Sequence, residues 1–273
     1  MERDIRIGTV ICRSVVGQTR ENLERMRRWT VAAKDRGVEL VCFPELNITG
    51  YCNLESVTAV SEPVPGPSTV ETEAIARETG MTIIAGLAER GDDGRIYATQ
   101  IVADETGLIG IYRKIHLGPP ERTVFTPAET IPPLFSSRGL KFGVQLCYDA
   151  HFPELATHMA LHGADAVFIP HASPGKSPEE KYRSWMRHLP ARAFDNGIFV
   201  IAVNSVGDNA RGLTFPGTAI ILAPSGDVIA SDTSDSETLL VADLTVETLG
   251  GVRNHKMRYF FPNRRPDLFD NHS

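Results

Sequence analysis

Three side chains in this sequence have the types needed for covalent catalysis, and each follows an apolar run that reads as a strand. Glu45 closes the run at 38–44, Lys114 stands near the end of 108–115, and Cys147 ends 140–147. Sites in open α/β sheets gather outside the carboxyl ends of strands, so three residues placed this way are candidates to converge. A free thiol is only a few per cent thiolate at pH 7 and needs a base or cation beside it to attack carbon. Glu45 has the chemistry to take that proton. Lys114 has the charge to favour a thiolate and then hold an oxyanion, and the Tyr148 N–H, just past the thiol, is a second oxyanion donor. Each residue alone has a plainer reading. Cysteine is among the most buried residue types, a glutamate after a strand caps a helix or faces solvent, and a lone lysine is usually exposed. Together they make a nucleophile, a base and an electrophile.

The elements that must position them alternate strand and helix. A β-branched run at 5–12 is followed by Leu23, Met26, Thr30 and Ala33 at helical spacing, with Gly37 as the stop. The buried strand at 38–43 comes next. Ser68-Thr69-Val70-Glu71 reads as a capping box for a helix closing at Gly80. Strands at 81–89 and 96–104 flank the turn Gly91-Asp92-Asp93-Gly94, and 108–115 makes a third. The second half repeats the pattern: a strand at 140–147, a helix from Pro153 to Gly163, and a strand at 164–170. A helix then starts at the box Ser177-Pro178-Glu179-Glu180, with a kink expected at Pro190. Strands at 198–204, 218–223, 228–230 and 239–243 finish the pattern, with Pro224-Ser225-Gly226-Asp227 as a hairpin turn. No linker separates the halves, so residues 1–273 read as one α/β domain, two sheets packed together with helices outside. The aromatic tail at 253–273, with Tyr259, Phe260, Phe261 and Phe269, is expected to pack on a partner subunit.

Composition narrows the class further. The chain has 273 residues, 42% of them hydrophobic, and a formal net charge of −6. A chain of this size buries roughly 70–75% of its unfolded surface and needs no metal or disulfide to fold. Net acidity with only short basic clusters, such as 25–28 and 264–265, argues against a nucleic-acid partner. No apolar run reaches the ~20 residues of a membrane span. The charged start Met1-Glu2-Arg3-Asp4 lacks the apolar core of a signal peptide, so a cytoplasmic location with reduced Cys12, Cys42, Cys52 and Cys147 is expected.

The motifs around the three reactive residues resemble the nitrilase superfamily of carbon–nitrogen hydrolases over nearly the whole chain. The resemblance rests on Phe43-Pro44-Glu45 with Thr49-Gly50-Tyr51, on Tyr112-Arg113-Lys114-Ile115-His116-Leu117, and on Cys147-Tyr148-Asp149 with Phe152-Pro153-Glu154. Arg192-Ala193-Phe194-Asp195-Asn196 and Phe215-Pro216-Gly217-Thr218 add to it. It implies a four-layer α-β-β-α sandwich of two similar halves, commonly a homodimer or higher homo-oligomer, with no cofactor and no metal. It also implies a Glu45–Lys114–Cys147 triad and a fourth residue, Glu121, that positions the lysine ammonium; otherwise Glu121 is an exposed loop residue after Pro119-Pro120. The reaction implied is hydrolysis of a carbon–nitrogen bond outside peptides, through a cysteine thioester.

Tyr-Asp after the nucleophile resembles the amidase and carbamoylase branches, whereas nitrilases more often carry Trp-Glu there. A small linear amide or N-carbamoyl substrate is therefore expected ahead of a nitrile. Ala150 and His151 stand where carbamoylases acting on carboxylate-bearing substrates often carry arginine, which counts against an amino-acid-derived carbamoyl substrate. Tyr51 either lines the pocket or packs beneath it, and His171 either meets a polar substrate group or caps the following turn. Three other readings stay open. His158 and His162 have a metal-binding spacing but lack the glutamate of the metalloprotease motif. An acyltransferase would share the thioester and pass it to an amine. A non-catalytic binding protein would keep the fold without the reaction.

Overall fold

A computed structural model describes residues 1–131 and 134–268. The chain runs β1 (Ile5–Ile11), α1 (Thr19–Asp35), β2 (Leu40–Cys42), α2 (Pro67–Thr79), β3 (Thr82–Arg90), β4 (Ile96–Asp104) and β5 (Gly107–Arg113). The second half runs β6 (Phe135–Ser137), β7 (Leu140–Val144), α3 (Pro153–Leu161), β8 (Ala166–His171), α4 (Pro178–Trp185), α5 (Leu189–Asn196) and β9 (Phe199–Asn204). It ends with β10 (Gly207–Asp208), β11 (Thr214–Phe215), β12 (Gly217–Leu222), β13 (Val228–Ser234), β14 (Thr238–Leu244) and α6 (Val246–Arg253).

Two six-stranded sheets form, in the orders β14-β1-β2-β3-β4-β5 and β13-β12-β9-β8-β7-β6. Both contain three parallel strands (β1-β2-β3 and β7-β8-β9) extended by antiparallel neighbours on either side. The second sheet therefore repeats the first, as the two-halves expectation requires. Strand alternation sorts the side chains of the first sheet. Ile5, Ile7, Ile11, Leu40 and Ile84 join Phe142, Phe168 and Ile201 in the layer between the sheets. Val10, Val41, Ile83 and Ala85 face Met26, Ala33 and Ile75 of α1 and α2. A strand buried on both faces reads as a near-continuous apolar run, which is how these segments were legible. The four-layer sandwich follows.

Several local expectations need correction. The helix α2 begins at Pro67, and its start is closed by Thr69 Oγ1 accepting from Gly66 N at 3.2 Å, so Ser68 does not cap it. The helix expected to kink at Pro190 instead breaks in two at Met186–His188, with Pro190 in the first turn of α5. Ser177 does cap α4, its side chain accepting from Glu180 N at 3.2 Å. The strand expected at 140–147 ends at Val144, which leaves Cys147 in a turn. In the tail, Phe260 packs on Phe194 at 5.4 Å and Phe261 lies against the main core, so part of the aromatic set serves this chain; Phe269 lies outside the described residues. Among the described residues, no helix is long and apolar enough to cross a membrane.

Candidate active site

Glu45 sits in the turn after β2 and is fully buried. That turn is sewn to β3: Gly86 N donates to Asn47 Oδ1 at 2.8 Å, Ile48 N to Gly86 O at 2.9 Å, and Ala88 N to Thr49 Oγ1 at 3.0 Å. Gly86 permits the close approach, because a Cβ there would come within 2.5 Å of Leu46 N. Leu46 itself holds a left-handed φ of 52°. The carboxylate then points at Lys114, the residue just past β5, whose Nζ donates to Glu45 Oε1 and to Glu121 Oε1, both at 2.7 Å. Glu121, also buried, accepts from Tyr51 Oη at 2.9 Å and from Gly118 N at 2.6 Å. The second oxygen of Glu45 accepts from Ala172 N at 3.0 Å, one residue past β8. Every oxygen of both carboxylates has a partner, the condition under which buried charge is tolerable.

The electrostatics follow from this packing. Burial pushes Glu45 up to about 7; Lys114 opposes that shift and the charge of Glu121 adds to it. Burial works against the Lys114 ammonium, yet Glu45, Cys147 and Glu121 carry it above the ordinary lysine value. Burial and the neighbouring carboxylates push the Tyr51 phenol up as well, so it stays a donor.

Cys147 approaches from the other sheet. Gln145 N still bonds to Phe168 O at 2.9 Å, but Cys147 then takes a φ of 46° and opens a short 3₁₀ turn, Cys147–His151. A non-glycine residue in this region carries strain of order 1–3 kcal/mol, and such residues concentrate at functional sites. The Cys147 residue keeps some exposure while its sulfur is desolvated, and Glu45, Lys114 and Glu121 all act on the thiol electrostatically. Burial and Glu45 push it up to about 12, while Lys114 pulls the other way. It is thus a neutral thiol beside a carboxylate.

Asp149 fastens the turn in place. Its buried carboxylate accepts from Leu146 N at 2.9 Å and Tyr112 Oη at 2.7 Å through one oxygen. The other oxygen accepts from His116 N at 2.8 Å and lies 2.9 Å from His116 Nδ1. Tyr112 and His116 flank Lys114 at two residues on either side, so one carboxylate sets the thiol turn against the lysine segment. From α5, Arg192 Nε donates to Ala150 O at 3.0 Å and braces the same turn. Asp149→Asn is expected to put an amide nitrogen against N–H donors in either orientation. We expect stability to fall by about 3 kcal/mol in urea unfolding and kcat by at least about tenfold; unchanged values in both measurements contradict this role.

The structure therefore brings Glu45, Lys114 and Glu121 together by direct bonds, and Asp149 clamps the Cys147 turn to the Lys114 segment, within electrostatic reach of all three. Tyr51 holds Glu121, a contact that its spacing in the sequence did not disclose. Tyr148 is partly exposed, its ring edge-on to His151 and Phe152 at 5.5 Å, and it helps line a cleft of about 490 Å³ with His116 and Phe125. His171 is buried; its Nδ1 lies 2.8 Å from Ile169 O and its ring 4.5 Å from Trp185. Burial holds that imidazole well below its ordinary pKa, hence neutral. His158, on the outer helix α3, and His162, just past its end, pair at 4.1 Å, and no third ligand joins them among the described residues. Sequence reasoning missed three contributors: the Tyr112–Asp149 clamp, the Ala172 N–H on Glu45, and Lys181, whose charge also acts on the thiol. For the first, the signal was Tyr112 and Asp149 each standing two residues from a reactive side chain.

The carbon-nitrogen hydrolase family model matches residues 6–254. A nitrilase of Pyrococcus abyssi is 32% identical over 91% of this chain and 93% of its own. An N-carbamoylputrescine amidase of Solanum lycopersicum is 30% identical over 91% of this chain and 88% of its own. Among solved structures, an amidase from Nesterenkonia sp. superposes with a TM-score of 0.85 at 26% identity, covering 99% of this chain and 97% of that one. A carbon-nitrogen hydrolase from Helicobacter pylori superposes with a TM-score of 0.87 at 26% identity, covering 99% and 98%. The sandwich, the ordered motifs and these relatives lead to one assignment: the chain belongs to the carbon-nitrogen hydrolase family.

Proposed function

We propose that the protein hydrolyses a small linear amide or N-carbamoyl compound through a thioester on Cys147. The observation that carries this reading is the Glu45–Lys114–Glu121 network of 2.7 Å bonds beside a thiol held at φ 46°. Glu45 takes the thiol proton as sulfur attacks the carbonyl carbon. The ammonium of Lys114, fixed by Glu121, and the Tyr148 N–H hold the tetrahedral oxyanion. The C–N bond then breaks and Glu45 returns its proton to the departing ammonia or amine. A water, deprotonated by the same carboxylate, cleaves the thioester and frees the acid.

The relatives support this chemistry. A cysteine-to-alanine variant of the Nesterenkonia amidase was solved in complex with butyramide. A glutamate-to-glutamine variant of it carries the acetamide moiety of fluoroacetamide covalently on its active-site cysteine. N-carbamoylputrescine amidases are also among the relatives, which keeps N-carbamoyl amines in the substrate class. The test is ammonia release from butyramide, N-carbamoylpropylamine, an N-carbamoyl amino acid and butyronitrile. Turnover of an amide or carbamoyl compound is expected to lead, and turnover of the nitrile alone contradicts the reading.

The pH profile is a further expectation. A protonated Glu45 accepts no thiol proton, so kcat/KM is lost as pH falls through its pKa. Because burial pushes that pKa up to about 7, the acid limb is expected near 7 and not near the ordinary glutamate value of about 4.3. Lys114 is shifted upward, so no alkaline loss from it is expected below the ordinary lysine value of about 10.4. An acid limb at the ordinary carboxylate value contradicts Glu45 as the base.

A further inference from the structure

Lys181 is a cation that the mechanism above does not use, bonded to the loop that also holds the base. It lies on α4 one turn before Trp185, whose ring rests on His171. The segment after β8 connects it to the base, since Ala172 N donates to Glu45 and the next residue, Ser173, accepts from Lys181 Nζ at 2.6 Å. Asn204 holds Ser173 on both sides, accepting from its N–H at 2.8 Å and donating to its carbonyl at 3.0 Å. The base and Lys181 are thus fastened to consecutive residues of a braced loop.

An ammonium has three donors. Ser173 Oγ takes one and Pro174 O, at 3.1 Å, a second. Both partners are neutral, and among the described residues Lys181 has no hydrogen bond to a carboxylate. Its side chain is only partly exposed, and burial lowers its pKa, with the Cys147 charge acting in the opposite sense. The nearby imidazoles of His151, His171 and His188 are all shifted toward the neutral form. Lys181 is therefore a half-buried positive charge with a spare donor and, among the described residues, no paired carboxylate.

We infer that Lys181 is a specificity residue whose free donor receives a carboxylate of the substrate, so the preferred substrates are short amides or N-carbamoyl compounds that carry one. This inference rests on the amide-hydrolase reading. The carboxylate belongs either to the acyl part or to the leaving amine, and matched pairs separate the two: succinamate against butyramide, and N-carbamoyl-β-alanine against N-carbamoylpropylamine. The wild type is expected to favour the charged member of at least one pair in kcat/KM. Lys181→Met is expected to lower that charged-to-neutral ratio about 30-fold, the size of a charge-assisted hydrogen bond. Lys181→Arg should keep most of the ratio. A wild type that hydrolyses the neutral amide better than both charged compounds overturns this inference alone. So does a Lys181→Met ratio equal to wild type, which would make the lysine a modulator of the thiol. Failure to hydrolyse any of the four compounds overturns the amide-hydrolase reading with it.

Discussion

Replacing Cys147 with alanine is expected to lower kcat for amide hydrolysis by at least about 10⁴ while the protein stays folded. The sulfur forms the covalent bond in both half-reactions, and removal of a nucleophile that acts as one unit with its base abolishes nearly all that the unit contributes. The backbone should tolerate the change. Alanine meets the same left-handed strain at φ 46°, and the clamp on Asp149 uses Leu146, Tyr112 and His116, none of which the substitution touches. Ammonia release, together with far-UV circular dichroism and thermal unfolding, checks both halves of the expectation. Turnover within tenfold of wild type in a folded variant contradicts the assignment of the nucleophile.

Glu45→Gln is expected to lower kcat by at least about 10³, because one carboxylate serves as base in acylation, acid toward the leaving group and base in deacylation. The effect should reach the first half-reaction. Rapid-quench kinetics are expected to show no burst of ammonia before the steady state. The structural cost should be smaller. An amide oxygen still accepts from Lys114, but its nitrogen then faces the Ala172 N–H, a lost hydrogen bond of about 1–3 kcal/mol. A wild-type burst followed by slow turnover would restrict Glu45 to deacylation and contradict its role in thiol activation.

Much of the cluster was readable in advance because Glu45, Lys114 and Cys147 follow apolar runs that read as strands. Glu121 came only from the family resemblance, as a glutamate shortly after the lysine. The parts that fix their geometry were not readable. Tyr112 and Asp149 meet across 37 positions, and neither sits in a periodic pattern that betrays its partner. Lys181 reads as an ordinary helix-surface lysine until α4 is folded onto the loop after β8. The expected strand ran on to Cys147 because apolar character continues past Val144, while the backbone leaves the pleat before the thiol. Helix α6 escaped notice because Gly250 and Gly251 are poor helix formers. Thr245 capping Thr248 N at 3.1 Å and burial of Leu249 and Val252 hold it instead. Ser68 to Glu71 matched a capping pattern, yet Pro67 suits a first helical turn and moved the start two residues earlier, to a Gly66 cap. Long-range contacts hid the clamp and Lys181, whereas local chemistry at Pro67 and Thr245 set the two helix starts.

The central claim is an acyl group carried on one sulfur. Its most direct test is intact-mass measurement and peptide mapping of enzyme acid-quenched during turnover of butyramide and of the activated ester p-nitrophenyl butyrate. One butyryl group per chain, mapped to Cys147 and absent from the alanine variant, is the predicted result. A butyryl group on any other residue, or full turnover of both compounds by the alanine variant, contradicts the account.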